Sequence, residues 1–383
     1  MAVVKLGDIA MEAKSSNKGD KTGIKIVGLE HLTPSNVTLS SWSDDTNNSF
    51  TKEFSKGDIL FGRRRAYLKK AAVAPFDGIC SGDITVIRAI KDKVDPNLLP
   101  FIIQNDFFFD FAVGKSAGSL SPRVKWTHLK EFTIELPSMP KQSKMAETLW
   151  SINETKNAYE ELINKTDELV KSQFIEMFGD QKENPKNFTV STLGECCDFY
   201  SGTGFPNKYQ GNSNGTFPFY KVGDISRNVQ NGKIRLADCE NYIEQDLVYV
   251  IKGSIIPENT VVFAKIGEAL KLNRRALTVC NCLIDNNAMG IKPGPLLDVM
   301  YFYQFMTLLD MGEFAGTTTM PSVRKSTLEK VQILIPDKER QEEFSLMRKQ
   351  SDKSKFALQE AIKDLDALSK KIIAENLIPA GKE

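Results

Sequence analysis

Residues 141–178 read KQSKMAETLW SINETKNAYE ELINKTDELV KSQFIEMF, a stretch with no proline and no glycine. Leu149, Ile152, Tyr159, Ile163, Val170 and Met177 recur along it at spacings of three, four and seven, with Leu162 and Leu169 widening the apolar stripe. That periodicity predicts a long amphipathic helix, a rod of roughly 50 to 60 Å at about 1.5 Å per residue. A single apolar stripe on an isolated rod stays wet, so a partner helix is needed. The end of the chain supplies one: Leu358, Ala361, Ile362, Leu365, Leu368 and Ile372 keep a heptad register. Antiparallel pairing is expected, because each rod leads out of its own globular segment and head-to-tail packing holds those segments at opposite ends. The alternative left open by periodicity alone is that each rod folds back onto its own segment.

Outward from the rods the chain repeats itself. Lys5-Leu6-Gly7-Asp8 corresponds to Thr192-Leu193-Gly194-Glu195, Val27-Gly28 to Val222-Gly223, and Ile59-Leu60-Phe61-Gly62 to Val261-Val262-Phe263-Ala264. Residues 118–124 resemble 316–324, and 129–137 match 328–336, with Gln142 opposite Gln341. Five blocks in one order describe two copies of one plan with loops of different length. Each copy reads as short strands punctuated by Gly, Asn, Asp and Ser. The alternation Phe132-Thr133-Ile134-Glu135-Leu136 is a strand stopped by Pro137, and Pro336 closes the second copy in the same way. Asn184-Pro185 separates the first rod from the second copy. The expected fold class is therefore α+β, with two similar loop-rich domains at 1–140 and 184–337. Helical regions at 141–183 and 338–383 form an antiparallel coiled coil, giving pseudo-twofold symmetry.

Composition narrows the function. Of 383 residues, 41% are hydrophobic and 26% charged, the balance of an ordinary globular protein. No apolar run reaches the roughly 20 residues that a membrane span requires, and the first residues lack a signal-peptide core, so the expected compartment is the cytoplasm. Cys80, Cys196, Cys197, Cys239, Cys280 and Cys282 form no C-x-x-C pair and are expected to be reduced. His31 and His128 are the only histidines, which leaves little room for metal or acid-base chemistry. Fifty Lys and Arg balance 49 Asp and Glu, so the total charge gives no sign of a polyanion ligand, but Arg63, Arg64, Arg65, Lys69 and Lys70 fall within eight positions.

Together these features resemble the specificity subunit of type I restriction-modification enzymes, over essentially the whole chain. The residues that carry the resemblance are Leu6-Gly7-Asp8, Leu193-Gly194-Glu195, Ser201-Gly202-Thr203-Gly204-Phe205-Pro206 and Phe217-Pro218-Phe219-Tyr220-Lys221-Val222-Gly223-Asp224-Ile225. Gly316-Thr317-Thr318, Ile335-Pro336 ahead of Gln341, and Phe174-Ile175-Glu176-Met177-Phe178-Gly179-Asp180 complete them. The resemblance implies two target-recognition domains, each binding one half of a bipartite sequence in double-stranded DNA, with the coiled coil as a helical spacer that fixes the gap. It also implies two methyltransferase subunits docked on the coil, joined by nuclease and translocase subunits in a restriction complex. No cofactor is expected on this chain, since S-adenosylmethionine belongs to the methyltransferases. The chain itself is then not an enzyme.

Base readout favours Arg, Asn and Gln, whereas Lys and hydroxyls hold phosphates. The first domain offers Arg63, Arg64, Arg65, Tyr67, Lys69 and Lys70 after a strand, and the second offers Lys265, Lys271, Asn273, Arg274 and Arg275. A second strip, Ser119, Ser121, Arg123 and Lys125, is matched by Thr317, Thr318, Thr319, Ser322, Arg324 and Lys325. Phosphate contact and helix capping compete as explanations of that strip. Gly202-Thr203-Gly204 lacks both the P-loop and the dinucleotide spacing. A stand-alone adenine methyltransferase would carry an Asp/Asn-Pro-Pro-aromatic segment, and Asn184-Pro185-Lys186-Asn187 lacks the second proline. A scaffold that binds protein partners through its globular domains is the remaining alternative.

Overall fold

A computed structural model describes residues 2–316 and 321–378. The chain divides into two compact units, Met1–Glu160 with Ala361–Glu383, and Glu161–Glu360.

In the first unit a four-stranded antiparallel sheet runs in the order Ala10–Glu12, Ile84–Ala89, Ile59–Gly62, Ala71–Val73. A second sheet sets Lys25–Val27 parallel to Gly78–Cys80, with Lys52–Phe54 antiparallel on the far side of the latter. Ala2–Lys5 closes the unit against Thr133–Leu136. The second unit repeats the four-stranded sheet with Cys197–Ser201, Ala288–Pro293, Val261–Ala264 and Ala276–Leu277, and the closing ribbon with Thr189–Thr192 and Gln332–Ile335. Its smaller sheet keeps the parallel pair, Phe217–Tyr220 beside Leu283–Ile284, but adds Tyr242–Ile243 on the opposite edge. The two copies therefore share a scaffold and differ in the third strand.

The expected repeat holds at its ends and shifts in one block. Leu6 N–H donates to Phe132 O and Gly7 N–H to Lys130 O; Leu193 and Gly194 make the same two bonds to Val331 and Glu329. A Cβ on Gly7 would lie 3.0 Å from Lys130 Cβ, and one on Gly194 3.0 Å from Glu329 O, so close approach favours glycine in both copies. By contrast, Val27-Gly28 does not correspond to Val222-Gly223. Ser81 N–H bonds Val27 O, and its counterpart Asp285 N–H bonds Tyr220 O, so Val27 matches Tyr220. The Val-Gly coincidence misled because Leu29–His31 forms a single 3-10 turn where the second copy starts the longer helix Val222–Gln230.

Both rods are helices of 40 residues, Met139–Phe178 and Lys338–Leu377. Their first turns are pinned alike. Gln142 accepts from Asp95 N–H and donates to Pro137 O, and Gln341 accepts from Asp298 N–H and donates to Pro336 O. Within the first unit Lys156 Nζ lies 2.8 Å from Asp366, and Leu149 shares a core with Ile373 and Leu377. Within the second unit Lys355 pairs with Asp167, while Phe344, eleven residues earlier, packs on Phe178, eleven residues later. In each unit rising numbers on one helix meet falling numbers on the other, so the pairing is antiparallel and neither rod folds back alone. The stripe is narrower than its periodicity suggests: Leu162, Leu169 and Leu368 are 49%, 54% and 46% exposed. A two-helix seam covers only a strip of each helix, and these three leucines fall outside it. Among the described residues no helix is long and apolar enough to cross a membrane.

Candidate nucleic-acid interface

The two strips that the sequence offered separately come together in both units. In the first, the chain leaving Ile59–Gly62 runs against residues 122–124: Arg65 N–H donates to Pro122 O at 2.8 Å and Val124 N–H to Arg63 O at 3.0 Å. In the second, the chain leaving Val261–Ala264 makes the same clasp with 321–323, Gly267 N–H to Pro321 O at 2.8 Å and Val323 N–H to Lys265 O at 2.9 Å. A third segment joins each time, because Arg63 N–H bonds Asp83 O and Lys265 N–H bonds Asn287 O. The backbone is one device used twice. Its side chains differ, with Arg64, Arg65, Asp83 and Arg123 in one copy at the places of Ile266, Gly267, Asn287 and Ser322 in the other.

In the first unit the clasp gathers cations. Arg64 donates to Ser121 Oγ through Nε and Nη2, at 3.3 and 3.0 Å, and its Nη1 lies 3.6 Å from Asp83. Arg123 grips both oxygens of Asp83, Nε to Oδ1 at 2.7 Å and Nη2 to Oδ2 at 3.2 Å. The hydrogen bond from Arg123 holds the Asp83 carboxyl below the usual carboxylate range, helped by the charges of Arg64 and Arg63. Arg63 Nε is buried with no partner among the described residues. Arg65 is exposed at φ 55°, a left-handed backbone costing about 1 kcal/mol or more for a side chain with a Cβ. The second copy puts Gly267 there, at φ 72° and ψ −158°, a different backbone conformation. Tyr67 is 53% exposed beside Arg65, and Ser119 and Lys125 are exposed. Lys69 and Lys70 are partly committed, Lys69 to Asp106 and Lys70 Nζ to Leu29 O at 2.7 Å.

The second unit corrects two expectations. Arg275 is only 3% exposed; its donors reach Met306 O, Arg274 O, Asn273 Oδ1 and Leu309 O, and its guanidinium stacks over Phe263. Burial lowers its pKa to about 10. Pairing of Val262 with Ala276 and of Leu60 with Ala72 makes Arg275 the counterpart of Ala71, which is buried in the first unit. Asn273, at φ 52°, accepts from Arg275 and Met311 N–H and donates to Leu309 O, so it too serves the fold. Arg274, the counterpart of Lys70, stays half-buried, Lys271 pairs with Glu268 at 2.7 Å, and Lys265 and exposed Arg324 flank the clasp. Thr317, Thr318 and Thr319 lie outside the described residues. Capping does not explain the second strip, because the short helices Trp126–Leu129 and Lys325–Leu328 start at Lys125 and Arg324 without a side-chain cap, and Ser322 instead bridges to Ile266.

Sequence reading missed Asp83. Its partner lies 40 residues away, and only the clasp makes them neighbours. The available hint was an acid on the Ser81-Gly82-Asp83 turn, aligned with Asp285, Asn286 and Asn287 in the second copy.

The profile of the Type I restriction modification DNA specificity domain matches residues 1–169 and 185–365. The chain is 26% identical over 264 residues to the type I restriction enzyme MjaIX specificity subunit of Methanocaldococcus jannaschii, covering 64% of this chain and 60% of that one. It is 28% identical over 125 residues to the type I restriction enzyme EcoDI specificity subunit of Escherichia coli, covering 30% and 27%. The chain thus spans less than two thirds of the curated relatives it matches. In three dimensions it resembles the type I restriction-modification S subunit from M. genitalium, with a TM-score of 0.57 at 14% identity over 97% of this chain and 95% of that one. A chain solved in work on complex assembly and conformational transition of the type I R-M system gives 0.54 at 20% identity, over 98% and 97%. At these identities the structural likeness speaks to the fold.

Proposed function

Since the chain belongs to the Type I restriction modification DNA specificity family, we propose that it is the subunit whose two units each read one half of a bipartite, asymmetric sequence in double-stranded DNA. The paired helices set the gap and dock two methyltransferase subunits, which nuclease and translocase subunits join in a restriction complex. This chain contributes no catalytic group and no cofactor. S-adenosylmethionine sits on the methyltransferases, and methyl transfer to an adenine rotated out of the duplex is their chemistry. The complex works in the cytoplasm.

The observation that carries this reading is the duplicated clasp with different side chains. A fixed backbone holds two unlike sets of side chains, which suits two unlike half-sites read by one mechanism. Docking on the helices is supported by Leu162, Leu169, Leu346 and Phe356, which are 49 to 69% exposed on the helices of the second unit.

The test is co-expression with a methyltransferase subunit, methylome sequencing, and gel shifts of the purified complex over a salt series. A single bipartite methylated motif, with affinity falling steeply as salt rises, is the expected result. Binding indifferent to salt and sequence would support a protein scaffold instead. Methyl transfer by the chain alone would overturn the non-catalytic assignment.

A further inference from the structure

The Asp83 carboxylate is only 20% exposed at its side chain, and its two oxygens are taken by Arg123, with Arg64 alongside. With each oxygen already bonded to Arg123 and the side chain mostly buried, Asp83 is poorly placed to accept from a base as well. What it does is fix an arginine. Guanidinium has a side edge, Nε with one terminal nitrogen, and an end edge formed by both terminal nitrogens. Asp83 occupies the side edge of Arg123, so the end edge of a 43% exposed side chain points away from the carboxylate and takes no hydrogen bond among the described residues. Two donors on a rigid fork match the O6 and N7 acceptors of guanine in the major groove. Held this way, Arg123 loses little further rotamer freedom on binding. A phosphate-holding cation needs no such buttress, and an internal carboxylate weakens its attraction for a polyanion.

Resting on the DNA-reading function above, we propose that Arg123 is a base-reading residue of the first unit, specific for a guanine in its half-site, and that Asp83 is its positioning residue. Arg64 differs, since Ser121 takes its side edge and Asp83 lies 3.6 Å from Nη1 on its end edge, so it shares the buttress and does not present a second free fork. The second unit has Ser322 and Asn287 at the equivalent places and therefore reads its half-site without this pair.

The test uses the full chain in complex with its methyltransferase partner, comparing wild type with Arg123→Lys and Asp83→Asn. Binding of duplexes carrying every base at each motif position is measured at several salt concentrations. Arg123→Lys keeps the charge and loses the fork, so preference for guanine at one position of one half-site should fall roughly 5- to 150-fold, with the salt slope and the other half-site unchanged. Asp83→Asn keeps the shape of the turn and should lower preference at that same position several-fold. Uniform weakening on all sequences by Arg123→Lys would make Arg123 a phosphate contact and overturn the proposal. So would wild-type selectivity in Asp83→Asn, or a motif with no guanine in either half-site. If the wild-type complex discriminates no sequence at all, the DNA-reading function itself fails, a separate and recognisable outcome.

Discussion

Replacement of Phe178 by alanine tests whether the last turn of the first long helix belongs to the core of the second unit. The ring is fully buried, and its centroid lies 4.7 Å from Tyr301, 4.9 Å from Phe174, 5.7 Å from Phe344 and 6.5 Å from Phe188. Removing a buried phenylalanine costs about 3–5 kcal/mol through lost transfer energy and the cavity left behind. Four aromatic neighbours, each contributing about 0.5–1.5 kcal/mol beyond area, put this site at the upper end. For a unit of this size about 1 kcal/mol moves the melting midpoint by roughly 2–4 °C, so a fall of about 10 °C or more is expected. The chain provides its own reporter of location. Trp42, Trp126 and Trp150, its only tryptophans, all lie in the first unit. Calorimetry should therefore show the drop, while unfolding followed by tryptophan fluorescence moves less. Leu169→Ala, on the same helix but 54% exposed, should stay within about 0.5 kcal/mol of wild type. A Phe178→Ala protein no less stable than Leu169→Ala would refute the packing of that helix end.

Arg275→Ala should destabilise the second unit by several kcal/mol, because the Met306 and Leu309 carbonyls lose buried donors, whereas Arg274→Ala should leave denaturant midpoints unchanged. A reversed order in urea titration would restore Arg275 to the interface. Gly194→Ala should cost about 1–3 kcal/mol by forcing a methyl group against the Glu329 backbone, and Gly7→Ala likewise against Lys130; thermal melts check both. Asp106 accepts from Lys69 and Lys370, whose hydrogen bonds hold its carboxyl below the usual range. Stabilisation from a depressed carboxyl is complete above its unfolded value near 4 and is lost as pH falls through the folded one. Asp106→Asn should therefore cost a few tenths to about 1 kcal/mol at pH 7, as expected for a side chain 41% exposed, and nothing at strongly acid pH; a gap that widens on acidification contradicts this.

The features legible in the sequence were those with a short period. A stripe recurring every three to four residues marks a helix wherever it sits, so both rods were legible, whereas their antiparallel pairing was the expected of two readings and is decided by the contacts between the helices. Leu6-Gly7 and Leu193-Gly194 announced equivalent domain starts because the same close approach, to Lys130 and to Glu329, favours glycine twice. The candidate interface was legible only as separate strips. Arg275 opens a run that is buried through Thr278, while Arg274 one position earlier is half-buried, and only the sheet shows where that run begins. Without the register of Ala276 on Val262, nothing in Asn273-Arg274-Arg275 distinguishes the structural arginine from the accessible one. Asp83 was hidden more deeply, since its role exists only once the backbone clasp brings Arg123 and Arg64 together across 40 and 19 positions of chain. Local pattern specifies the scaffold; side chains that act on a ligand are defined by pairings between loops, and loops are where the two copies of this plan diverged.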